Sequence, residues 1–149
     1  MLEALQILVE GAGVSRRDVL VAAVLHDVVE DTPCTLADLR AAFGPQVAEL
    51  VGWVTIPDPG PGEDAASVKE RYLRRLGDAP PDAILVKLAD RASNVQTLRN
   101  LPPDQQRAYY AQTVTYIVPL AAREPWFADW YAGWQAELAD LAGPQVADR

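Results

Sequence analysis

The sequence predicts an all-α fold, a single helical domain spanning residues 1–149, and three observations predict it. Helix-start and helix-stop residues recur along the chain. Apolar residues return at three- and four-residue spacing, and no stretch alternates polar and apolar with the β-branched clustering of a strand. At 149 residues and 50% hydrophobic, the chain has the apolar material for one core and no length for a second.

The elements follow in order. Ser15 with Asp18 three residues on has the form of a capping box, in which two side chains satisfy free amides at a helix start, and it opens "RDVLVAAVLHDVVED", residues 17–31. Thr35 and Asp38 repeat the device before "LADLRAAF", which Gly44 ends. Pro45 suits the first turn of "PQVAELVGWVT", where a missing amide costs nothing. The segment "IPDPGPGED", residues 56–64, carries three prolines and two glycines and is a surface loop before "ASVKERYLRRL". Pro80 and Pro81 precede "DAILVKLADRASNVQTL", "LPP" at 101–103 precedes "DQQRAYYAQTVTYIV", and a last amphipathic stretch begins near Pro125. The chain thus divides into a motif core, 1–101, and C-terminal helices, 103–142.

Charge and composition exclude several functions. A formal charge of −8 argues against nucleic acid, whose binding needs clustered Lys and Arg to displace counterions. Lys69, Arg71, Arg74 and Arg75 are the one basic cluster, and its default reading is a solvated helix face. The lone Cys34 gives neither a disulfide framework nor a zinc ribbon, which suits a reducing, cytoplasmic setting. No apolar run approaches the ~18 residues that cross a bilayer, and the start does not read as a signal peptide.

The chemistry concentrates in two helices. The only histidine, His26, sits in "LHDVVEDT", residues 25–32. At about 3.6 residues per turn, His26 and Glu30 share a face, as do Asp27 and Asp31. An apolar helix that presents an imidazole and three carboxyls must pair them or bind something, and one divalent cation satisfies all four. In the second helix Leu85, Leu88, Ala92 and Val95 form a core stripe, with Asp90, Asn94 and Thr97 on another side. Each pattern alone reads as a solvated polar face.

Together, "LHDVVEDT" and "VKLADRASN", residues 86–94, resemble the HD-domain signature of the RelA/SpoT-type (p)ppGpp hydrolases and their small standalone relatives. The resemblance runs to about Leu101 and includes "TLADLRAAFGPQVAELVGWVT" and "KERYL". It implies an all-helical metal-dependent phosphohydrolase that removes the 3′-diphosphate of guanosine polyphosphates as pyrophosphate. On that resemblance His26, Asp27 and Asp90 hold a divalent ion, usually manganese, and Glu30 and Asp31 serve the attacking water. Asn94 and Thr97 contact the nucleotide or order the site. Imidazole with hard carboxylates suits manganese.

Two departures bear on that expectation. The family's first metal-binding histidine lies in a His-Pro-Leu segment; here Met1 stands at the proline and the histidine would fall one residue earlier. The preceding helix and the guanine-contacting basic loop are also missing, so the expectation is a truncated or mis-started form of a longer protein. Gln96 stands where the family commonly has arginine, a better phosphate ligand. Those departures keep two alternatives open: an HD phosphohydrolase for another nucleotide, and an inactive HD module that binds a nucleotide or partner protein. Trp126, Trp130 and Trp134, four residues apart and flanked by Phe127, form an aromatic stripe suited to core packing or to a homo-oligomer contact.

Overall fold

Thr35 caps a helix as its spacing predicts. Its hydroxyl accepts the Asp38 amide at 3.1 Å while the Asp38 carboxylate accepts the Thr35 amide at 2.9 Å. The computed structural model describes residues 2–143, and Met1, where the resemblance places the family's proline, lies outside the described residues. Helix α1 (Leu2–Gln6) runs into a π turn (Ile7–Gly11) and is followed by α2 (Arg17–Leu25), α3 (Val28–Asp31), α4 (Leu36–Phe43) and α5 (Pro45–Val54). After the proline-rich loop come α6 (Ala65–Arg75), α7 (Pro81–Val95), α8 (Pro103–Gln112) and α9 (Pro125–Glu137). A π turn (Thr113–Ile117) and a 3₁₀ segment (Val118–Arg123) join α8 to α9. No strand occurs among the described residues, so the all-α expectation holds.

Three expectations about helix ends are corrected. Arg16, with extended backbone, is the residue that precedes α2, and no side chain caps that end. Ser15 therefore sits one residue too early for its hydroxyl to reach the free amides, and Asp18 falls at the second helical position. Asp18 accepts from Arg17 instead, and Arg16 pairs with Asp82 on α7 at 2.6 Å. The run 17–31 is not one helix either: α2 stops at Leu25, His26 and Asp27 form a turn, and α3 restarts at Val28. Likewise α7 ends at Val95, which leaves Thr97 in a turn beyond it.

Helix α7 is the axis of the fold, packing against α1, α2, α5 and both π turns. Its Leu85, Leu88, Ala92 and Val95 are buried as the stripe predicts, and Ala83, Val86 and Ala89 are buried too, so apolar contact surrounds most of the helix. Helix α9 locks onto α7 by two hydrogen bonds. Tyr131 donates its hydroxyl to the Leu88 carbonyl at 2.7 Å, and the Trp134 indole donates to the Val95 carbonyl at 3.3 Å. Trp134 also stacks on Tyr110 of α8, with ring centres 5.1 Å apart. Trp126 packs against the π turn, where a Cβ on Gly11 would come within 2.4 Å of the indole, so only glycine fits. Trp134 of the aromatic stripe is buried, and Trp126 and Trp130 are half-buried against the core. The large exposed hydrophobics, Leu2, Val9, Leu36 and Phe43, lie elsewhere. No helix among the described residues is long and apolar enough to cross a membrane.

Candidate metal centre

The break between α2 and α3 creates the site. Because α2 stops, the carbonyl of Ala23 in its last turn has no helical amide to accept, and the His26 ring takes it: Nδ1 lies 2.6 Å from that oxygen. Nδ1 therefore carries the proton in the neutral ring, and Nε2 presents its lone pair on the other side. There Asp27 Oδ2 lies 3.1 Å from Nε2 and Asp90 Oδ1, arriving from α7, lies 3.0 Å from it. One donor atom from each of the three residues falls within 4.8 Å of the others. Ligand atoms about 2.1 Å from an ion and at right angles stand about 3 Å apart, so this spacing fits a divalent cation.

Electrostatics keep the Asp90 carboxylate charged. Burial raises the Asp90 carboxyl, but hydrogen bonds and charge from His26 and Lys87 outweigh it and hold Asp90 well below the usual carboxylate range. Burial lowers His26, and the bonds to Asp90 and the Ala23 carbonyl, with the charges of Asp90 and Asp27, more than reverse that. Asp90 is braced at both oxygens: Oδ1 also accepts from Asn94 Nδ2 at 3.2 Å, and Oδ2 accepts from Lys87 Nζ at 3.2 Å. Lys87 is buried over the Tyr72 ring, and burial depresses its ammonium against the pull of Asp90.

A hollow of about 150 Å³ opens at this point, lined by Asp27, Glu30, Asp90, Asn94, Lys87 and Arg91. It shares Lys69, Asn94 and Tyr109 with an adjoining hollow of about 530 Å³ to which Thr97 contributes. The structure therefore gathers His26, Asp27 and Asp90 as the sequence suggests, adds Asn94 as a brace on Asp90, and puts Glu30 on the cleft wall. Glu30 Oε1 accepts the Ile56 amide at 2.6 Å, tying the proline-rich loop to the site. Asp31 is exposed and does not line the cleft. Thr97 lies in the adjoining hollow, its hydroxyl 3.4 Å from the Asn94 carbonyl.

Sequence reasoning missed Lys87 and Arg91. The signal was available, because Lys87, Asp90, Arg91 and Asn94 repeat at three and four along α7 and share a face. The basic cluster divides as well. Arg71 pairs with Glu63 and Arg74 with Glu70, while Arg75 lies 4.3 Å over the Trp53 ring; Lys69 alone of the four lines the cleft. Gln96 lies in a separate hollow with Arg99, Trp130 and Trp134, away from the metal donors.

Fold and site together define an all-helical scaffold built around a His-Asp pair and a distant Asp. Residues 1–127 match the family model described as HD domain, and the chain belongs to the HD-domain family. It is 40% identical over 109 residues to the bifunctional (p)ppGpp synthase/hydrolase SpoT of Escherichia coli K12, covering 71% of this chain and 16% of that protein. The guanosine-3′,5′-bis(diphosphate) 3′-pyrophosphohydrolase of Vibrio cholerae gives the same identity and coverage. The chain thus spans about a sixth of the length of these relatives. Among solved structures, a metazoan orthologue of SpoT that hydrolyses ppGpp superposes with a TM-score of 0.73 at 25% identity, over 89% of this chain and 78% of that one. A Listeria monocytogenes protein superposes with a TM-score of 0.67 at 25% identity, over 91% and 95%.

Proposed function

We propose that the chain is a manganese-dependent phosphohydrolase that removes the 3′-diphosphate of guanosine polyphosphates as pyrophosphate. The observation that carries this reading is the convergence of His26 Nε2, Asp27 Oδ2 and Asp90 Oδ1 in a cleft that also holds a separate carboxylate, Glu30, and two buried cations. The relatives named as guanosine-3′,5′-bis(diphosphate) 3′-pyrophosphohydrolases support the substrate.

A bound divalent ion supplies Lewis-acid chemistry and makes water more acidic. His26 offers Nε2 as a ligand because the Ala23 carbonyl holds the proton on Nδ1. Lys87 and Asn94 fix the Asp90 carboxylate from both oxygens. Glu30 spends one oxygen on the Ile56 amide and keeps the other to accept a proton from water. The water oxygen bonds to the phosphorus attached at the 3′ oxygen. The bond from that phosphorus to the 3′ oxygen breaks, the 3′ oxygen takes up a proton from solvent, and a 3′-hydroxyl and pyrophosphate result. Thr97, in the adjoining hollow, contacts the nucleoside side of the substrate. Asp31, exposed and off the cleft wall, takes no part in the proton transfer, which falls to Glu30 alone.

Gln96 lies away from the cleft, so its departure from arginine does not weaken phosphate contacts at the metal centre. The donor set of one histidine and two aspartates favours a second reading, a module that holds a nucleotide without turning it over, because three ligands grip a metal less tightly than four. The test is incubation of the purified chain with Mn²⁺ and guanosine 3′,5′-bis(diphosphate). Conversion to guanosine diphosphate and pyrophosphate, abolished by chelator, is expected. Stoichiometric Mn²⁺ with the tetraphosphate intact would sink the first reading, and cleavage of a different nucleotide in a parallel panel would replace its substrate.

A further inference from the structure

The cleft contains a buried cation that the protein leaves without a counter-ion. Arg91 is 3% exposed, yet no carboxylate among the described residues lies within ion-pair distance of it. The more exposed Arg16, Arg17, Arg71, Arg74 and Arg99 each hold an acid. This inverts the usual order, in which the buried charge is the paired one.

Arg91 is nonetheless held rigidly. Nη1 donates to Gln112 Oε1 at 2.9 Å and to Thr113 Oγ1 at 3.0 Å, and the guanidinium carbon lies 4.5 Å from the centre of the Tyr109 ring. Those bonds use one side of the fork. Nε is buried without any partner, the one such side-chain atom among the described residues, and Nη2 makes no hydrogen bond among them either. Three of the five N–H groups of a guanidinium, those on the Nε–Nη2 edge, are therefore unspent. Leaving charged donors desolvated and unpaired is costly, and the residue that bears the cost lines the wall of the metal cleft. Lys87, the other buried cation, is already taken by Asp90.

We propose that Arg91 is the phosphoryl-binding residue of the cleft, its unspent donors receiving a phosphoryl group of a polyphosphate substrate beside the candidate metal donors. The assignment rests on the phosphohydrolase reading for its ligand class, and it gives a task to a buried cation that reading only places in the cleft. A tetrahedral oxyanion supplies both missing items, negative charge and acceptors, and the planar fork matches two of its oxygens. Lys69, which lines the cleft and both neighbouring hollows and holds no acid within ion-pair distance among the described residues, meets the charge further out.

The test is calorimetric titration of inorganic phosphate into the Mn²⁺-loaded chain and into Arg91→Gln and Arg91→Lys, with Mn²⁺ affinity measured on each. Arg91→Gln is expected to weaken phosphate binding by about tenfold or more, with Arg91→Lys between it and the parent. Mn²⁺ affinity is expected not to fall, because removing a cation beside the site does not disfavour a dication. Unchanged phosphate affinity in Arg91→Gln, or no phosphate binding by the parent chain, would overturn the proposal. So would loss of Mn²⁺ and phosphate affinity together in both variants, which assigns Arg91 to holding the fold. Phosphate binding through Arg91 in a chain that leaves guanosine tetraphosphate uncut keeps the subsite and removes the hydrolase reading. Hydrolysis with an unchanged KM in Arg91→Lys does the reverse.

Discussion

The two stretches that build the site present their polar groups in opposite ways. Helix α7 is unbroken from Pro81 to Val95, and its regular spacing alone puts Lys87, Asp90, Arg91 and Asn94 on the cleft. The α2–α3 stretch is broken at His26 and Asp27, and the break turns its four polar residues to different fates. His26 and Asp27 face Asp90, Glu30 reaches the loop amide, and Asp31 faces solvent. Regular helix is enough to align ligands along one axis; bringing adjacent residues onto one ion needs an interruption, because neighbours in a helix point about 100° apart.

The largest test of this comparison removes one candidate ligand from each stretch. His26→Ala and Asp90→Ala should each lose Mn²⁺ by metal analysis and lower turnover by about 10³-fold or more, since the metal supplies several kcal/mol of transition-state stabilisation. Equal losses confirm that the broken and unbroken helices contribute to one centre. Glu30→Gln comes next, with turnover lower by about 10²-fold to 10⁴-fold at unchanged Mn²⁺ content, the range for a lost general base. Lys87→Met, which keeps the volume and removes the bond to Asp90, should weaken Mn²⁺ by about 10-fold to 100-fold, measured by competition with a chelating dye. Smallest is Asp31→Asn: an exposed acid off the cleft wall should change turnover by about twofold or less. A loss matching that of Glu30→Gln would show that the α3 segment reorients during the reaction, and would erase the distinction drawn between the two carboxylates.

Much of the fold was legible because it rests on local rules. The Thr35–Asp38 box, Pro45 at a helix start and the proline-rich loop all act through neighbouring residues, and each stands where its spacing put it. The Ser15–Asp18 box failed although its pattern has the same form, since α2 begins at Arg17, a residue later than the box requires, and nothing in four letters fixes that choice. In the site, Asp90 and Asn94 were visible by period. The His26–Asp27 turn was not, because the run from Val19 to Val29 is apolar apart from these two residues and contains neither glycine nor proline. Arg91 was hidden for another reason: its lack of an acid partner is a property of surrounding space, and only three-dimensional neighbours disclose it. The tryptophan stripe pointed equally to a core or to a contact between chains; Trp134 packs on Tyr110 and Trp126 on Gly11, and Trp126 and Trp130 keep part of their surface exposed.

The bond from the His26 ring to the Ala23 carbonyl has a consequence for how the site resists error. An imidazole free to exchange tautomers would spend part of its time with Nε2 blocked by its own proton and closed to coordination. Here the frayed end of α2 acts as a proton parking place 2.6 Å away, so whenever the ring is neutral its open nitrogen is Nε2. That readiness is written in backbone, not in a side chain that a single substitution could delete. A drift in the length of α2 by one residue would reassign the carbonyl to a helical amide and cost the histidine its orientation, with every ligand still in the sequence.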